Sequence, residues 1–124
     1  MDQLATFEMT GTRAFYRPVG CVSFENAVSM VTQAILLANA RDADDLLVNV
    51  FALNGFDPPS LAERFAMASE WAAAADRRLR FAMVAPPELI DPHKFGVTVA
   101  RNRGLDVDVF TSEGDALAWL DRAS

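Results

Sequence analysis

The chain has 124 residues, of which 52% are hydrophobic and 23% charged, the make-up of one globular domain and not of a disordered segment. Seventeen acidic residues against eleven basic ones give a net charge of -6, which excludes the broad phosphate-neutralising face of a nucleic-acid binder and electrostatic docking on an anionic membrane. No apolar run approaches the ~20 residues of a membrane span, no leader pattern opens the chain, and the lone Cys21 permits no internal disulfide, so a cytoplasmic protein is expected.

Leu4 to Met9 mixes apolar and polar residues, Thr10-Gly11-Thr12 is a turn signal, and Arg13 to Arg17 carries Phe15 and Tyr16. Together they predict a β-hairpin, ended by Pro18 and Gly20. Ser23 caps a predicted helix from Phe24 to Arg41, with Val28, Val31, Ile35 and Ala38 as its apolar stripe. Leu46 to Phe51 is nearly all apolar, as in a strand buried on both faces.

Ser60 and Glu63 form a capping box ahead of a second helix, whose predicted buried stripe is Leu61, Phe65, Ala68, Ala72 and Ala75. Leu79 to Val84 is another strand. Asp91-Pro92 reads as a cap followed by a first-turn proline, opening a third helix that runs to about Asn102 with Gly104 beyond its end. Gly96 inside that helix points to a close backbone contact. Val107 to Phe110 is the last strand, and Ser112 caps a final helix bearing Ala116, Leu117, Trp119 and Leu120. The order β-β-α-β-α-β-α-β-α predicts a single α/β domain over residues 1–124, a mixed sheet with helices packed on it.

Several segments carry a family resemblance: Arg17-Pro18-Val19-Gly20, Leu46-Leu47-Val48-Asn49-Val50, Gly55-Phe56-Asp57-Pro58-Pro59-Ser60, and Asp91 through Gly104. With the element order, they resemble the STAS domain of bacterial anti-sigma-factor antagonists, and more closely the small STAS-like bacterial proteins. The resemblance implies a STAS-like fold and a protein partner, a regulatory kinase or anti-sigma factor. In the antagonists, an Asp after the third strand precedes two serines, one of which is phosphorylated. Asp57 matches that Asp, but Pro58 and Pro59 stand where the serines would be, and Ser60 comes one residue later.

Five residues are therefore candidates for a partner-binding or phospho-loop: Phe56, Asp57, Pro58, Pro59 and Ser60. Phosphate on Ser60 would meet the positive end of the second helix, although helix capping with Glu63 accounts for that serine completely. Phe56 is either a partner anchor or a staple to the core. Met67 and Trp71, outside the main stripe of their helix, mark an interface, a homodimer among the options, or a broad contact with a neighbouring helix. Arg101 and Arg103 are candidates for an anion contact, together with Arg77, Arg78 and Arg80, or are helix-end cations.

His93 reads as a solvated helix-start residue and Cys21 as an ordinary small residue. Asp42, Asp44 and Asp45 lack the pattern of a calcium loop, so neither a metal nor a cofactor is expected. Three functions follow in order: a non-enzymatic regulatory interaction module; a small-molecule or lipid-binding module with an apolar cleft beside the third helix, lined by Met83, Phe95 and Trp119; and an enzyme using Glu63, Glu70 or Glu88.

Overall fold

The opening hairpin forms in the computed structural model, which describes residues 5–122. Its strands β1 (Phe7–Thr10) and β2 (Arg13–Tyr16) pair antiparallel with Thr10 opposite Arg13, so Gly11 and Thr12 make the turn. Gly11 stands at φ 60°, the first central position of a type II′ turn, where glycine meets no steric penalty. The predicted start of this strand at Leu4 lies outside the described residues.

A two-residue strand, β3 (Gly20–Cys21), precedes α1 (Phe24–Ala40). The Ser23 hydroxyl caps α1 by accepting from the Asn26 amide at 3.1 Å. At the other end the Ala43 amide donates to Ala38 at 2.9 Å and the Asp42 amide to Asn39 at 3.0 Å, a closure that needs a left-handed residue. Asp42 supplies it at φ 57°. β4 (Asp45–Asn49) follows and is shorter than predicted. The Asn49 side-chain oxygen accepts from the Phe51 amide at 2.9 Å and turns the chain out of the sheet. β5 (Leu53–Asn54) then pairs in parallel with β3, apart from the main sheet.

α2 (Leu61–Ala75) leads to β6 (Arg80–Val84), α3 (Phe95–Asn102) to β7 (Asp106–Phe110), and α4 (Glu113–Arg122) comes last. The main sheet has the order β1-β2-β4-β6-β7, and every pair after the hairpin is parallel. The strand order advances in one direction while α1, α2 and α3 pack on one face, as crossovers of one hand require. α4 covers the other face, where Leu47, Ala82 and Val84 meet Ala116 and Leu120. The fold is thus α/β, with a mixed sheet between three helices and one. No helix among the described residues is long and apolar enough to cross a membrane.

Alternation along the strands explains both layers. Leu46, Val48 and Phe81 point to the three-helix side, Leu47, Ala82 and Val84 to α4, and all are at most 1% exposed. Each large side chain so buried contributes about 1.5–3 kcal/mol.

α2 departs from its predicted stripe. Ala68, Ala72 and Ala75 are buried as expected, but Leu61 is 61% and Phe65 45% exposed. The buried face is turned toward Trp71, which is 8% exposed, donates its indole N–H to the Val28 carbonyl at 3.2 Å, and meets Phe81 edge-on at 5.6 Å. Trp71 therefore joins α1 to α2 within the chain, and the apolar surface of α2 is Leu61 and Phe65 in place of the expected Met67 and Trp71.

α3 begins three residues later than Asp91-Pro92 predicts, with Lys94 and not Asp91 at the cap position. Residues 91–94 form a turn closed by the Lys94 amide on the Asp91 carbonyl at 2.9 Å, with Lys94 left-handed at φ 52°. The Asp91 carboxylate still caps, accepting from the Phe95 amide at 2.7 Å. A Cβ on Gly96 would lie 3.9 Å from the Met67 methyl and 4.0 Å from the Arg64 carbonyl, which is ordinary contact, so α3 and α2 approach closely without needing glycine there.

Candidate functional site

Small residues on three helices leave the three-helix layer underfilled. Ala27 of α1, Ala68 of α2, and Gly96 and Ala100 of α3 all border an apolar cavity of about 130 Å³. Phe81, Met83, Val107 and Val109 of the sheet form its floor. Val97 and Met67 bring larger side chains to it, and Phe56 and Pro59 also line it. An apolar space of this size is near the ~150 Å³ that holds a benzene ring.

Polar groups meet the cavity at Arg64, Asp91 and Lys94. Lys94 is exposed, so the cavity reaches the surface at this rim. Two of the three are engaged elsewhere: Asp91 caps α3, and the Lys94 ammonium pairs with Asp108 at 2.9 Å. Arg64 is half-buried and donates from Nη1 to the Leu89 carbonyl at 3.2 Å. No carboxylate among the described residues pairs with it.

The expected loop candidates divide. Phe56 is half-buried, meets the Phe24 ring edge-on at 6.0 Å and walls the cavity, so it serves as the staple. Pro59 also borders the cavity, whereas Asp57, Pro58 and Ser60 are exposed. Ser60 makes the full capping box: its hydroxyl accepts from the Glu63 amide at 3.1 Å, and the Glu63 carboxylate accepts from the Ser60 amide at 2.8 Å.

Of the predicted cleft lining, Met83 is in place and Phe95 is not among the lining residues. Trp119 lies on the opposite face of the sheet, 5.7 Å from the Phe110 ring and under the Arg80 guanidinium at 4.2 Å. Three of the arginines proposed as an anion clamp have partners within the chain. Arg101 donates to the Val107 carbonyl at 2.9 Å and pairs with Asp108 at 3.5 Å, Arg103 lies over the Phe65 ring, and Arg80 pairs with Asp106. His93 and Cys21 are exposed. No cluster of metal-ligating side chains occurs among the described residues.

A second polar centre lies where β2 and β4 end. Arg17 donates to both oxygens of Glu113, at 2.8 and 3.0 Å, and the Asn49 amide donates to the same carboxylate at 2.8 Å. The Arg17 hydrogen bonds, then the Asn49 one, hold the Glu113 carboxyl below its ordinary value against an opposing push from burial. Arg17 of the Arg-Pro-Val-Gly segment thus anchors the start of α4. A folded value below the unfolded one means that this stabilisation is present above the ordinary value of 4.5 and is lost as pH falls through the lower folded value. Glu113→Gln is expected to cost about 1 kcal/mol at pH 7, a modest figure because both side chains are part-exposed. Urea melts should show the gap between wild type and variant closing as pH drops below that range; a gap unchanged at acid pH would refute the assignment.

The sequence reading missed Arg64, although one signal for it existed. Arg64, Ala68, Trp71 and Ala75 recur at i, i+4, i+7 and i+11, so a charge stands in register with the buried face of α2. Compared with protein-family models, curated proteins and solved structures, the chain matches none.

Proposed function

We propose that the protein is a non-enzymatic binding module of STAS-like fold whose cavity beside α3 holds a small apolar molecule. The carrying observation is the apolar space of about 130 Å³ between α3, its neighbouring helices and the sheet. Its aliphatic and aromatic walls bind by removing a ligand from water, at roughly 25 cal/mol per Å² of apolar surface, and offer it no nucleophile. The STAS-like likeness rests on the sequence segments quoted above.

Toluene is the direct probe. At ten times its Kd it should stabilise the fold by about 1.4 kcal/mol and raise Tm by roughly 4–6 °C, with saturable amide shifts at Val31, Met67 and Val97. Val97→Phe places a ring in the same space and should abolish both responses while keeping the fold. Absence of a saturable response in the wild type would remove the proposal.

The exposed Leu61 and Phe65, beside the Asp57–Ser60 loop, favour a second reading, a regulatory protein-interaction module. On that reading the partner covers the loop and the first turns of α2, next to the wall formed by Phe56 and Pro59.

A further inference from the structure

Resting on the cavity reading above, we infer that the ligand is a small monocarboxylic acid, its single ring or short branched chain inside the cavity and its carboxylate on Arg64. Among the lining side chains only Arg64, Asp91 and Lys94 are charged, so a charged end of the ligand finds its side-chain partners there. Of the rim groups, Asp91 is occupied by the Phe95 amide and Lys94 by Asp108, which also meets Arg101. Arg64 gives one hydrogen bond to Leu89 from Nη1, leaving Nε and Nη2 without an acceptor among the described residues. Those two donors are the parallel pair that receives a carboxylate in two-point fashion.

Lys94 and Asp108 neutralise each other, and Arg64 is the cation of this lining with no carboxylate partner among the described residues. The space of about 130 Å³ takes one ring.

The test compares benzoate with toluene by calorimetry at pH 7, on the wild type, Arg64→Met and Arg64→Lys. Benzoate should bind the wild type more tightly than toluene. Arg64→Met should lose about tenfold to a hundredfold in benzoate affinity beyond any change in its toluene affinity. Arg64→Lys keeps the charge without the fork and should fall between the two.

If toluene binds but benzoate is no tighter, or if Arg64→Met leaves benzoate unchanged, the carboxylate inference fails and the cavity reading stands. Loss of toluene together with benzoate in Arg64→Met would assign Arg64 to holding Leu89 and overturn the inference. Binding of neither probe by the wild type removes both readings.

Discussion

Phe81→Ala should lower the stability of the protein by about 3–5 kcal/mol, the full range for deleting a buried ring. Phe81 is fully buried in β6, the fourth strand of five. Its ring meets Trp71 edge-on at 5.6 Å, and Trp71 in turn bonds to α1, so one side chain joins the sheet to two helices. The ring also forms part of the cavity floor. Space vacated beside an existing void adds to it, and neighbours that already span a gap have little reach left to close a wider one. A urea melt followed by tryptophan fluorescence reads the loss in midpoint. A fall under 1 kcal/mol would mean that the helix layer collapses onto β6, which contradicts a cavity maintained by the packing around it.

Gly55→Ala should be nearly as damaging, at about 3 kcal/mol, through the backbone and not through the core. Gly55 stands at φ 105°, where an L side chain is strained. A Cβ there would lie 2.6 Å from the Val22 carbonyl oxygen and 2.9 Å from the Cys21 sulfur. Backbone on the far side cannot rotate away as a side chain can, so the β3–β5 pair must part. The bond from the Val22 amide to the Asn54 carbonyl, 2.8 Å in length, goes with it. Because the next residue is Phe56, displacement carries to the cavity wall, and toluene binding should weaken in step with stability. Thermal unfolding with and without the probe measures both. Gly104→Ala shares the backbone strain, at φ 95°, but its Cβ would meet only the Arg77 side chain, at 2.8 Å, an obstacle that can swing aside, so it should cost less than Gly55→Ala.

The long elements were legible because each carries its own period. Leu46-Leu47-Val48 needed no partner to read as a strand buried on both faces, and Ser60 with Glu63 announced the start of α2. β3 and β5 have two residues each, too few to show any period, and they exist only because each pairs with the other. The start of α3 was misplaced because Asp91-Pro92 satisfies the local rules for a cap. The left-handed turn at Lys94 is what separates that carboxylate from the helix it still caps. Trp119 was put on the wrong side because a helix stripe shows that a face is buried, not which face of the sheet receives it. The cavity was expected beside α3, but its true walls were illegible. A void is a shortage of volume summed over Ala27, Ala68, Gly96 and Ala100, which lie far apart along the chain.

The division of helices between the two faces also bears on how the chain is made. α1, α2 and α3 each follow the strand they help to cover, so the three-helix layer can close as synthesis proceeds. α4 is the only helix among the described residues on the reverse face, and it is translated after all five strands of the main sheet. Until its ten residues are made and docked, Leu47, Ala82 and Val84 lack their cover on that face. The nascent chain therefore passes its most adhesive moment late, when the rest of its architecture is already in place.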